Sequence, residues 1–190
     1  VLVIVSTVIA TALGLPAGIL AARRPAIGRP LLLLANIAQT IPSLALFGFL
    51  LPLPFIGGIG PRTALVTLTL YALLPIVRTT VAGLRSLDHA VVDAGVAMGM
   101  TPRQLLWMVE LPLALPTILT GIRIVLVQNI GLVTIAALIG GGGLGAFVFQ
   151  GIGQTAIDLV LLGAIPTVVL AFSASVLLDA VTDLTRKVPR

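Results

Sequence analysis

Long apolar runs, divided by short stretches rich in charge, glycine or proline, dominate the pattern of this chain. About 20 mostly apolar residues suffice for a helix to cross a bilayer. Five stretches qualify: Val1–Ala22, Leu31–Leu53, Thr63–Leu84, Leu115–Ile139 and Ile157–Leu178. Between them lie Arg23–Pro30, Pro54–Arg62, Ser86–Pro112 and Gly140–Ala156, with a tail from Asp179. The chain opens on Val1 inside an apolar run, without the charged start and small-residue cleavage site of a signal peptide, so a short N-terminal piece is expected to precede it. The pattern predicts an all-α polytopic membrane protein: one transmembrane domain over 1–190, with five core spans and a long third loop at 86–112.

Composition supports lipid as the solvent. Of 190 residues, 58% are hydrophobic and 9% charged, against about 25% charged in a soluble domain. The net charge of +5 then describes topology rather than nucleic-acid binding. Arg23, Arg24 and Arg29 follow the first span. Arg78, Arg85 and Arg103 lie near or in the third loop, and Arg186, Lys187 and Arg190 end the chain. The other two loops hold only Arg62. Basic residues collect in cytoplasmic loops, which predicts an outside N-terminus, a cytoplasmic third loop and a cytoplasmic C-terminus. Arg123 stands inside the fourth span, where it either snorkels to the headgroups or pairs with an acid such as Glu110.

Pro16, Pro42, Pro75 and Pro166 fall inside spans and predict kinks. Gly14 and Gly18 are spaced for close helix approach. Polar residues in the spans are candidates for a translocation pathway: Asn36, Gln39, Thr40 and Ser43 in the second, Thr69 and Tyr71 in the third, Gln128, Asn129 and Thr134 in the fourth. The first four share one face of a continuous helix. Interhelical hydrogen bonding is the competing role.

The third loop contains DAGVAMGMTPRQLLWMVELP, Asp93–Pro112. Asp88 and Asp93 stand near the start of one helical run, Pro102 interrupts it, and Leu105, Leu106, Met108 and Val109 begin a second. Two short helices with a break would offer a docking knob to a soluble partner. Gly99 and Ala94 lack bulk and permit close approach. Gly99 is expected on an exposed helical surface and Gln104 as a solvent-facing neighbour of little consequence.

These residues resemble the cytoplasmic signature of ABC importer permeases, E-A-A-x-x-x-G-x9-I-x-L-P. Asp93, Ala94 and Gly95 stand at E-A-A, Gly99 at the glycine, Val109 at the isoleucine, and Leu111 and Pro112 at L-P. The departures are Asp for Glu, Gly for the second Ala and Val for Ile, with spacing intact. The stretches Asn36–Leu46, Leu70–Leu84, Val109–Arg123 and Ile139–Gly145 are similar to permeases of osmoprotectant importers, which carry glycine betaine, carnitine and choline. The resemblance implies a type I importer permease with a methionine-importer-like core. It also implies a homo- or heterodimer of permeases, two cytoplasmic ABC ATPase subunits, an extracytoplasmic binding protein and location in the bacterial inner membrane.

Other chemistry finds little support. There is no cysteine and one histidine, His89, so neither a thiolate site nor a metal centre is expected. Glycines 140 to 143 with Gly145 lack the Lys-Ser/Thr that completes a phosphate-binding loop. The chain is therefore not expected to be an enzyme or to bind a cofactor; ATP and magnesium belong to the partner. With one Trp, one Tyr and six Phe, no aromatic cage for a quaternary amine is readable. The alternatives are an ABC permease for amino acids or other small zwitterions, or a secondary transporter or channel. The acids Asp158, Asp179 and Asp183 sit at span ends or in loops, which counts against ion coupling.

Overall fold

A computed structural model describes residues 1–186, with side-chain environments given to Asp183. Lys187 and Arg190, which enter the charge pattern, lie outside the described residues. Every element among those described is helical. In chain order they are α1 (Leu2–Arg23), α2 (Pro25–Thr40), α3 (Ser43–Leu50), α4 (Pro61–Arg85), α5 (His89–Ala97), α6 (Pro102–Leu105), a π-turn (Leu106–Glu110), α7 (Leu111–Ala136), a 3-10 turn (Ala137–Ile139), α8 (Leu144–Gln154) and α9 (Ile157–Arg186).

Among the described residues, four helical runs are each long and apolar enough to cross a membrane: α1, α4, the continuous stretch Pro102–Ile139, and α9. The expected second span is broken rather than continuous, its two parts together being long and apolar enough for one span. It is two helices, α2 and α3, bent by 97°. Pro42 drives its predecessor Ile41 into extended backbone, with φ −69° and ψ 123°, and the helix ends instead of kinking. The expected turn Gly140–Ala156 also differs, since it contains the eleven-residue helix α8. Its glycines act at both faces: a Cβ on Gly145 would strike the Thr134 backbone, and one on Gly151 would lie 2.6 Å from the Val160 nitrogen.

The core is built around α4, the most enclosed of the long helices. Gly14 and Gly18 of α1 admit Ile76 and Thr80 of α4; an added Cβ would lie 2.9 Å and 2.6 Å from their side chains. Gly121 of α7 admits Thr79 from another face of α4. In hydrocarbon there is little hydrophobic drive between helices, and small residues gain dispersion contact by close approach. Ala10, Ala72, Ile76 and Val125 form one buried cluster across α1, α4 and α7; Phe47, Ala64, Ala136 and Ile139 form another where α3 meets α4 and α7.

Candidate functional site

The loop 86–112 is built by local rules. Asp88 caps α5, accepting a hydrogen bond from the Ala90 N–H at 2.9 Å. The helix ends at Gly99, φ +79°. The Gly99 N–H donates to Val96 O at 2.9 Å and the Met100 N–H to Gly95 O at 3.2 Å, the paired closure that a left-handed glycine gives a helix C-terminus. Gly99 is thus a helix terminator and not part of an exposed helical surface, and among the described residues nothing beyond its two chain neighbours lies within 4 Å of where its Cβ would be. Gln104 also differs from expectation. With Thr101 it forms a capping box at the start of α6: Thr101 N–H donates to Gln104 Oε1 at 2.9 Å, and Gln104 N–H to Thr101 Oγ1 at 3.3 Å. The T-x-x-Q spacing is in the sequence and would have revealed it.

Beyond the cap, α6 runs through the π-turn into α7 without interruption. In a regular α-helix the Pro112 ring would clash with the Met108 carbonyl, and the wider π-turn makes room for it. The expected second loop helix is therefore the first part of the fourth span. Gly95, buried, is where α5 packs back on α6: a Cβ there would lie 2.6 Å from Leu105 Cδ1. Leu105 and Leu106 are buried, while Val91, Val96, Met98, Trp107 and Met108 stay exposed. Asp93, Ala94 and Pro112 are exposed; Val109 and Leu111 are half-buried. The element offers an apolar outer surface held by a capped, closed turn.

The expected pathway residues do not converge on one site. Ser43 lies beyond the 97° break and leaves the face of Asn36, Gln39 and Thr40. Pro75 has no N–H to return to the Tyr71 carbonyl, and Gln39 Nε2 of α2 donates to that carbonyl instead, in a long 3.4 Å bond. The Tyr71 hydroxyl in turn donates to Ile41 O at the break. Gln39 and Tyr71 together clamp α2/α3 to α4. Thr40, Thr69 and Thr134 donate to carbonyls of their own helices. Asn129 is 1% exposed and donates to Ser6 Oγ of α1 at 3.1 Å. Gln128 lines a crevice of about 360 Å³ with Thr120, Arg123 and Ser175. Thr134 lines a largely apolar cavity of about 690 Å³ between the start of α1, α7, the glycine loop and α9. Asn36 is half-buried on α2.

Arg123 pairs with Asp179 of α9, and its Nε donates to Ser175 Oγ at 3.0 Å. Glu110, the partner considered from sequence, is engaged by Arg23 at 2.8 Å.

An apolar helical bundle with an ordered element projecting between α4 and α7 has counterparts among known proteins. The description of the binding-protein-dependent transport system inner membrane component matches residues 14–187. The chain belongs to that family. It is 43% identical over 170 residues to the choline transport system permease protein OpuBD of Bacillus subtilis, covering 89% of this chain and 74% of that protein. It is 42% identical to the carnitine transport permease protein OpuCD of Listeria monocytogenes, covering 90% and 76%. Identity to the osmoprotectant import permease protein OsmW of Salmonella typhimurium is 44%, covering 90% and 80%. A chain of the MetNI methionine ABC transporter, in an inward-facing conformation, superposes with a TM-score of 0.86 at 27% identity, covering 97% of this chain and 91% of that one. This chain is therefore an inner-membrane permease component with the type I ABC importer fold, and its relatives are transport subunits.

Proposed function

We propose that this permease forms the translocation pathway for small quaternary-amine osmoprotectants, of the choline, carnitine and glycine betaine class, in an ATP-driven importer. The observation that carries the cargo class is its identity of 42 to 44% to permeases named for choline, carnitine and osmoprotectants. The ATP and magnesium are bound by a separate ABC ATPase subunit, which docks on the loop around Asp93, Ala94, Gly95, Gly99, Val109, Leu111 and Pro112. A second permease subunit and an extracytoplasmic binding protein complete the assembly. The loop and the C-terminus face the cytoplasm and the N-terminus faces out, as the arginine distribution favours.

Cargo passes along the polar positions that line open space, for which Gln128 in its crevice and Thr134 in its cavity are the supported candidates, with half-buried Asn36 of α2 kept as a third. Asn129, Gln39 and Tyr71 hold helices together beside it. Selectivity resides in the binding protein, since the permease needs a weak passage that releases its cargo.

Uptake of radiolabelled choline and glycine betaine into vesicles carrying the full assembly tests this. ATP-dependent uptake that survives an ionophore is the expected result. Uptake abolished by the ionophore while ATP stays high would contradict ATP drive, and uptake of neither amine would overturn the cargo.

A further inference from the structure

Three helices end near the coupling loop: α1 at Arg23, α4 at Arg85, and α7 where it emerges from the π-turn. The loop is covalently continuous with α4 and α7. Helix α1 has no such continuity, yet its last residue reaches the loop. Arg23 Nη2 donates to Pro102 O at 3.2 Å and to Glu110 Oε2 at 2.8 Å. Pro102 opens α6 and Glu110 closes the π-turn, so a single guanidinium spans both ends of the segment joining the loop to the fourth span. Helix α1 is in turn locked to α4. Gly14 and Gly18 seat Ile76 and Thr80, and Arg85 Nη2 donates to Ala21 O at 3.4 Å.

We propose that Arg23 is a positioning residue that transmits displacement of the coupling loop into α1, with Glu110 as its acceptor. The proposal rests on the reading of the loop as the ATPase coupling element. A π-turn is a wide helical turn found at functional sites, and without a brace the loop could flex there while α1 stayed still. The Arg23 brace closes that slack. Stability is not its main effect. The Arg23 side chain is 37% exposed and that of Glu110 17%, so solvent reaches the pair at the arginine and screens what it contributes to folding. A structural role and a transmission role therefore separate in their readouts: losing the brace should spare insertion, dimerisation and ATPase binding, and reduce the cargo moved for each ATP hydrolysed.

The experiment uses the complete importer, with permease, ATPase and binding protein in vesicles. Uptake per ATP is measured for Arg23→Gln, Glu110→Gln, Arg23→Glu and the exchange Arg23→Glu/Glu110→Arg. Each single variant should keep its ATPase and hydrolyse ATP while uptake per ATP falls by about fivefold or more, the low end of ordinary coupling between sites. The exchange should recover part of the loss of Arg23→Glu; the contact to Pro102 O stays lost because a carboxylate cannot donate to it. Wild-type ratios in both glutamine variants would overturn the proposal, as would an exchange no better than Arg23→Glu. Loss of the ATPase from Arg23→Gln would also overturn it, by placing Arg23 in the docking surface. Gly95→Leu, which would force α5 away from Leu105, separates the two levels. If Gly95→Leu retains ATPase binding and uptake, the coupling reading itself fails. If it loses both while Arg23→Gln behaves as wild type, only the transmission role fails.

Discussion

At Gly99 the backbone sets the requirement before any partner does. Its φ of +79° is one that L-residues reach at a cost of roughly 1–2 kcal/mol, with Asn and Asp the tolerant exceptions. Among the described residues, no side chain beyond its chain neighbours crowds the position. Uptake should therefore fall in the order Gly99, Gly99→Asn, Gly99→Val, with the asparagine variant keeping its ATPase on purification. Equal failure of both variants, with both still inserted and dimeric, would assign the glycine to a tight fit in the partner's groove instead. Sequence spacing was enough to pick out Gly99 but not to say why a glycine stands there, because a motif position does not reveal a dihedral angle. Arg123 shows a similar boundary. From sequence it could snorkel to the headgroups or pair with an acid, and the pairing with Asp179 rather than Glu110 depends on which helix packs beside α7.

At the scale of the element, the apolar runs marked where the long helices lie, but of the four span prolines only Pro42 coincides with a break; Pro16, Pro75 and Pro166 stay inside continuous helices. What Pro42 does was not legible, since proline can kink a helix or end it. The outcome here depends on Tyr71, whose hydroxyl donates to the O of Ile41, 30 residues earlier in sequence, and holds the bent pair against α4. Four polar residues at helical spacing consequently failed to form one face. The short helix α8 escaped notice because its glycines resemble a turn, although two of them, Gly145 and Gly151, let Thr134 and Val160 approach. Removing the Tyr71 hydroxyl should free the break. Tyr71→Phe leaves a carbonyl without its donor, worth about 1 kcal/mol or about fivefold in an opening equilibrium. A cysteine at Leu50, buried on α3, should react with a thiol reagent about fivefold faster in that background. An unchanged rate would show that apolar packing around Phe47 alone holds α3.

For the whole molecule, composition and charge were enough for a multi-pass membrane protein, and the signature in the third loop pointed to its family. The orientation rests on the arginines alone and is testable because the chain has no cysteine. In the loop before α4, Gly58 has φ +105° and would be strained as a cysteine, so exposed Ile59 is the labelling site. Towards the C-terminus, exposed Asp183 is the labelling site. An impermeant thiol reagent on intact cells should label Ile59→Cys and Gly153→Cys and spare Ser86→Cys and Asp183→Cys. The reverse pattern would invert the protein and remove the loop from the ATPase side. The central claim is that the capped, apolar-faced loop is where ATP-driven force enters the permease, and crosslinking in the assembled transporter tests it most directly. With a photoactivatable thiol probe on Met98→Cys, which is exposed at the tip of the loop, the account predicts an adduct with the ATPase subunit and none from Gly153→Cys. A transport-competent assembly in which Gly153→Cys captures the ATPase and Met98→Cys does not would contradict it.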